Sequence, residues 1–92
     1  MSDLNSFPNA ARRAVLSVLM ERGRQDVKWG PDRTLDLGLW LTILGEEYGE
    51  VCKAVLEKAG ANGGLNNVRE ELVHVAAVAV AAIEDVDRRL RT

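Results

Sequence analysis

The chain is poor in cysteine, proline, histidine and aromatic residues. Among its 92 residues, Cys52 is the only cysteine, which excludes an intrachain disulfide and makes the cytoplasm the expected location. The two prolines, Pro8 and Pro31, lie outside the long periodic stretches, so neither interrupts a predicted helix. We also find no basic segment followed by an apolar run near the N-terminus, and therefore expect no signal peptide.

Strong net charge and long apolar runs are lacking too. A formal net charge of -2 gives no general attraction to nucleic acid or to an anionic membrane. The longest apolar run, 73–83, is broken by His74 and is too short to span a bilayer. With 47% apolar and 28% charged residues, the composition is that of a globular protein. We expect one domain over 1–92, with neither a nucleic-acid polymer nor a membrane as partner.

The spacing of apolar residues predicts three helices, over about 7–28, 37–59 and 67–90. A Gly-Pro breaker follows the first, and a glycine-rich link over 60–64 follows the second. No segment alternates as a strand would, so the predicted fold class is all-α.

The third helix is apolar on most of its sides and must therefore be enclosed. Two neighbouring helices can cover only part of it, so we expect self-association through this helix, as a homodimer or homotetramer. One predicted apolar face, called the main face below, comprises Val68, Leu72, Val75, Ala79, Ile83, Val86 and Leu90, and a second comprises Val73, Ala77 and Val80.

Carboxylates interrupt the apolar faces of the second and third helices. At about 100° per residue, Glu47 lies about 20–40° from Trp40 and Val51, with Glu46 and Glu50 at the edge of the same stripe. Burying a carboxylate is costly unless a cation, a proton or hydrogen bonds compensate.

The third helix repeats this arrangement. Glu71 lies about 20° from Val78 and Ala82, and His74 lies about 60° away. Facing each other across a bundle, the two helices would build an oxygen-rich cation site.

Two alternatives stay open at this point. The glutamates would otherwise pair with arginines such as Arg12, Arg13 or Arg69 in a salt-bridge network. His74 by itself is often a satisfied core or interface histidine. Glu84 and Asp87 point away from Glu71, and we interpret them as solvated charges near the helix end.

Three segments resemble the MazG-like all-α nucleoside triphosphate pyrophosphohydrolases. Glu47-Tyr48-Gly49-Glu50 matches that family's ExxE motif, and Glu71-Leu72-Val73-His74 matches its ExxD motif except at the last position. Residues 21–30 are similar to the ExxRQ…KWG stretch of small phage-type members, so the resemblance covers about residues 20–90.

The resemblance implies a hydrolase that binds Mg²⁺, with Mn²⁺ as the alternative, and converts a nucleoside triphosphate to a monophosphate and pyrophosphate. It also implies a helical bundle that a second subunit completes, because larger members carry a further helix. The implied roles are metal binding by Glu47, Glu50, Glu71 and His74, catalysis by Glu46 and Glu47, and substrate binding by Gln25, Trp29 and Lys53. Lys53 has the alternative of being a solvated partner of Glu50.

His74 stands where the family has an aspartate. Imidazole suits Mn²⁺, Zn²⁺ or Fe²⁺ better than Mg²⁺, so the site has fewer protein ligands, a softer metal or no activity. The alternative function is a non-catalytic MazG-like module that binds a nucleotide or a protein. A purely structural helical module is the third hypothesis.

Overall fold

The computed structural model describes residues 3–58 and 64–91, and in this part of the chain all regular structure is helical. A short 3₁₀ turn, Leu4–Ser6, precedes three helices: α1 (Asn9–Trp29), α2 (Leu37–Lys58) and α3 (Gly64–Arg91). The prediction of an all-α fold with three helices is confirmed. Most of the predicted glycine-rich link lies outside the described residues.

Helix α1 begins slightly later than predicted because a separate turn precedes it. Asp3 caps that turn by accepting a hydrogen bond from the Asn5 N–H at 2.7 Å, and α1 starts directly after Pro8. At its other end, Gly30 has φ +89° and donates its N–H to the Asp26 carbonyl at 2.9 Å. Glycine adopts this backbone conformation readily, which explains why the predicted breaker ends α1 at Trp29.

Asp36 fixes the start of α2. Its carboxylate accepts from the Gly38 N–H at 3.1 Å, and its carbonyl accepts from the N–H groups of Leu39 and Trp40 at 3.0 Å. These bonds satisfy amides that the first turn of a helix leaves unpaired. Helix α3 already includes Gly64, three residues before its predicted start.

Helix α3 is the central element, and both α1 and α2 pack against it. Trp40 from α2 meets Val78 and Ala81 from α3 in the core, as its position in the α2 stripe predicts. Leu35, Ile43, Leu44 and Ala82 pack around this cluster.

The face of α3 that is buried within the chain differs from the predicted main face. Leu72, Ile83 and Leu90 are 52%, 57% and 78% exposed. The buried residues of α3 are Ala77, Val78, Ala81 and Asp85. Since α1 and α2 cover that side only, the predicted main face is largely open in a single chain. No helix of the described part is long and apolar enough to cross a membrane.

Asp85 joins the end of α3 to the segment that links α1 and α2. Its side chain is fully buried and accepts from the Trp40 Nε1–H at 2.7 Å and from the Leu35 N–H at 3.0 Å. Arg89 adds a salt bridge to Asp85 at 2.9 Å, and it also donates to the Leu35 carbonyl. The Trp40 hydrogen bond, followed by those from Leu35 and Arg89, holds the pKa of Asp85 below its ordinary value despite burial.

Glu84 is not the simple solvated charge that was predicted near the end of α3. It accepts two hydrogen bonds from the buried Arg22 guanidinium, both at 2.9 Å, which tie α1 to α3. Arg22 also contacts Asp26 at 3.0 Å, and its pKa is raised, mainly by the hydrogen bonds to Glu84. The prediction was wrong because Arg22 lies within reach of α3, which periodicity on α3 alone does not reveal. Asp87 is exposed, as predicted.

Candidate metal centre

Glu47, Glu71 and His74 converge between α2 and α3. One ligand atom from each lies within 4.8 Å of the others. His74 Nδ1 is 3.5 Å from Glu71 Oε2 and 4.0 Å from Glu47 Oε2. Two carboxylates and an imidazole are common ligands of divalent metal ions, so the donor set fits such an ion.

The packing of α2 on α3 creates this convergence. Glu47 precedes the buried Val51 by one turn, and His74 precedes the buried Val78 by one turn. The packing of Trp40 and Ile43 around Val78 brings the two helices together, and the side chains of Glu47 and His74 approach each other beside it. Glu47, Glu71 and His74 are each half-buried.

The electrostatics of Glu47 show a carboxylate short of positive charge. Partial burial raises its pKa, and the charges of Glu71, Glu50 and Glu21 raise it further, whereas His74 lowers it. A bound cation would remove this repulsion.

Within the described residues, the ion pairs of Glu47 and Glu71 are both with His74. The arginines of the salt-bridge alternative are engaged elsewhere or exposed. Arg12 donates to Asn9, Arg69 donates to Ser17 at 2.8 Å, and Arg13 is exposed. The described geometry therefore favours a cation site over a glutamate–arginine network.

The three other residues with predicted site roles near Glu47 (Glu46, Glu50 and Lys53) lie outside the three-residue group. Glu50 is exposed and outside the three-residue group, although it is close enough to raise the pKa of Glu47. Glu46 is exposed and lines the groove beside the centre. Lys53 is exposed and is not among the groove's lining residues.

A groove of about 650 Å³ adjoins the centre and contains two of the three predicted substrate-binding residues. Gln25 and Trp29 line it together with Glu46, Glu47 and His74. Gln25 is buried, and its amide oxygen accepts from Arg22 at 3.3 Å. This leaves its NH₂ group as the end that a ligand can use. The Trp29 ring is 59% exposed and offers a stacking surface.

Two further cations line the same groove, and the sequence analysis assigned them no role. Lys28 Nζ lies 4.9 Å from the Trp29 ring centre, and the Arg33 guanidinium lies 5.1 Å from that of Trp40. The KWGPDR segment places both around the helix-ending Gly30, which was the only available signal for them. They supply positive charge to the groove that adjoins the acidic centre.

Glu21 was also missed. Its carboxylate lies 3.8 Å from His74 Nε2 and accepts from Arg24 Nε at 2.7 Å. No apolar pattern on α1 marks Glu21 as functional, yet Glu21 and Arg22 both contact side chains of α3 and only Arg24 of this charged run is largely exposed.

Comparisons with models of protein families, with curated proteins and with solved structures give no significant match to this chain.

Proposed function

We propose that this protein is a metal-dependent nucleoside triphosphate pyrophosphohydrolase that releases a nucleoside monophosphate and pyrophosphate. The observation that carries the proposal is the convergence of Glu47, Glu71 and His74 at the wall of a groove lined by Gln25 and Trp29. Glu47 and Glu71 are also the first residues of the two motif matches, so the resemblance supports the same assignment.

A divalent ion at this centre, Mg²⁺ or Mn²⁺, would neutralise phosphate charge and lower the pKa of a bound water. Glu47, Glu71 and His74 would hold it, with Glu50 joining after a side-chain movement. Glu46 and Glu47 would orient the attacking water and accept its proton. The water oxygen bonds to the α-phosphorus, and the bond from that phosphorus to the bridging oxygen breaks as pyrophosphate leaves.

The groove residues divide by chemistry. Trp29 offers a ring for base stacking, and the Gln25 NH₂ group offers a donor to a base acceptor. Lys28 and Arg33 would contact the phosphates that lie away from the metal. Lys53 would contribute only if a partner subunit closed the site.

Self-association is part of the proposal. The open face of α3 with Leu72, Ile83 and Leu90 continues the exposed apolar character of α2, where Leu41 and Leu56 are 68% and 77% exposed. Exposed apolar surface on this scale is typical of an interaction site. A homodimer or homotetramer would complete a MazG-like bundle, and cytoplasmic location fits the single exposed thiol of Cys52.

The decisive experiment is a pyrophosphate-release assay across NTPs and dNTPs, with Mg²⁺ and Mn²⁺ in parallel. Wild type should turn over at least one nucleotide. Glu47→Gln should lower kcat/KM by more than about 100-fold, because loss of a direct ligand should exceed the 10–100-fold cost typical of an outer partner. The exposed Glu57 on the same helix gives a matched control, and Glu57→Gln should retain activity. The proposal fails if no nucleotide is cleaved with either ion.

The alternative function is a non-catalytic module that binds a nucleotide or a protein, and the replacement of the motif aspartate by His74 favours it. Calorimetry that detects nucleotide binding to a protein without turnover would support this alternative.

A further inference from the structure

The two ring nitrogens of His74 face different partners. Nδ1 lies toward the metal-binding carboxylates, 3.5 Å from Glu71 and 4.0 Å from Glu47. Nε2 lies on the other side, 3.8 Å from Glu21 Oε1. One nitrogen can therefore serve as a ligand while the other carries the proton.

Glu21 has the setting of a partner that orients a metal-binding histidine. It comes from α1, whereas the candidate ligands come from α2 and α3. Its side chain is only 14% exposed, and Arg24 holds its Oε1 at 2.7 Å. A carboxylate that receives the second N–H of a ligating imidazole fixes the tautomer and makes the ligand more basic.

We infer that His74 and Glu21 tune this centre for a borderline transition-metal ion such as Co²⁺ or Zn²⁺ in preference to Mg²⁺. This rests on the metal centre of the proposed function. His74 Nδ1 would be the ligand, and Glu21 would be a positioning residue that accepts from the Nε2–H. Nitrogen ligands favour these ions over Mg²⁺, which prefers oxygen.

The test of metal preference is titration of the untagged protein with Co²⁺ and with Mg²⁺, without nucleotide. Wild type should bind Co²⁺ at least about tenfold more tightly than Mg²⁺. His74→Asp should narrow or reverse that ratio by losing Co²⁺ affinity and gaining Mg²⁺ affinity. Glu57→Gln should change neither. Equal affinities in wild type, or an unaltered ratio in His74→Asp, would overturn the inference.

The role of Glu21 has a spectroscopic test, because His74 is the only histidine in the chain. A long-range ¹H–¹⁵N correlation spectrum should show the Nδ1 resonance shifting on addition of diamagnetic Zn²⁺, with the proton on Nε2. Glu21→Gln should lower Co²⁺ affinity about 10–100-fold and redistribute the tautomers in the metal-free protein, with an unchanged Tm. Zn²⁺ binding through Nε2, or unaltered affinity in Glu21→Gln, contradicts the assignment.

These measurements separate the two proposals. Co²⁺ and Zn²⁺ binding through His74 without turnover of any nucleotide would sustain the metal assignment and sink the hydrolase function. Turnover with Mg²⁺, in a protein whose His74 resonances do not shift on addition of Zn²⁺, would support the hydrolase function and contradict the metal assignment.

Discussion

Two carboxylate clusters lie along α3, and their partners differ in kind. Near the C-terminal end, Asp85 is paired with Arg89 and hydrogen-bonded to Trp40. Nearer the N-terminal end, Glu71 and Glu47 face a single histidine. Permanent guanidinium charge satisfies the first cluster, whereas the second has room and negative charge for a ligand. The identity of the partner, more than burial, therefore separates a structural acid from a candidate functional one.

The two clusters shift carboxyl pKa values in opposite directions. Hydrogen bonds from Trp40 and Leu35 and the charge of Arg89 lower the pKa of Asp85. Partial burial and neighbouring carboxylates raise the pKa of Glu47. A carboxyl group whose pKa is lower in the folded than in the unfolded protein stabilises the fold, and this stability is lost as the pH falls through the folded-state pKa. A carboxyl group whose pKa is raised by folding contributes stability at low pH, which is lost as the pH rises through the folded-state pKa.

The largest stability effect should come from Asp85. Asp85→Ala removes the acceptor of the Trp40 indole N–H and of the Leu35 amide, together with one ion pair of Arg89. Loss of the buried bond to Trp40 together with the partly buried bonds to Leu35 and Arg89 should lower Tm by about 10 °C or more in a domain of this size. Thermal unfolding followed by circular dichroism measures it.

The exposed Asp87, two residues away, supplies the control, and Asp87→Ala should leave Tm almost unchanged. If both variants melted alike, the structural role of the C-terminal cluster would be wrong.

Removing Arg22 should have a smaller effect. Arg22→Met breaks the paired hydrogen bonds to Glu84 and releases the Gln25 amide, but water can solvate the partly exposed Glu84. We expect a loss of about 1–2 kcal/mol in the free energy of unfolding. Because Gln25 loses its anchor, KM for a nucleotide should also rise.

Chemical denaturation and steady-state kinetics measure these two changes. Arg13→Met, at an exposed arginine of the same helix, should change neither. A rise in KM with full stability would mean that Arg22 belongs to the substrate site instead.

The smallest expected effect is a gain in stability, in the variant Glu47→Gln. In metal-free protein at neutral pH, Glu47→Gln removes a carboxylate whose ionisation the fold disfavours. We expect up to about 0.5 kcal/mol of added stability, typical of a partly exposed site. The gain should vanish on acidification, since wild-type Glu47 then binds its proton and ceases to repel its neighbours.

Melting curves in chelator between pH 4 and pH 8 test this sign. Addition of Mn²⁺ should make the wild type melt at a higher temperature than Glu47→Gln, because the ion stabilises the wild type more than the variant. A variant that is less stable at every pH would show Glu47 to be a structural acid like Asp85.

The features that the sequence predicted correctly depend on residues close together in the chain. The breaker at Gly30 and the apolar stripe around Trp40 fix the three helices and part of the core. Helical periodicity also placed Glu47 and Glu71 on inward faces, since a face needs only the angle between residues on one helix.

The parts that were missed depend on how separate segments meet. The burial of Asp85 follows from the 30–36 segment folding over the end of α3, and no periodicity encodes that contact. Glu21 required knowing that α1 packs on the His74 side of α3. The sequence predicts that α3 is apolar on most sides and only partly covered, but only the placement of α1 and α2 selects the side that is covered within the chain.

The two tryptophans give the molecule a pair of optically separate probes. Trp40 is 3% exposed and hydrogen-bonded to Asp85, while Trp29 is 59% exposed in the groove. Indole emission responds to the polarity around the ring, so Trp40 should dominate the blue edge of the spectrum and Trp29 the red edge. Iodide would quench Trp29 selectively, and a nucleotide in the groove would protect it. A single emission spectrum can therefore follow unfolding and ligand entry as distinct signals without an attached dye.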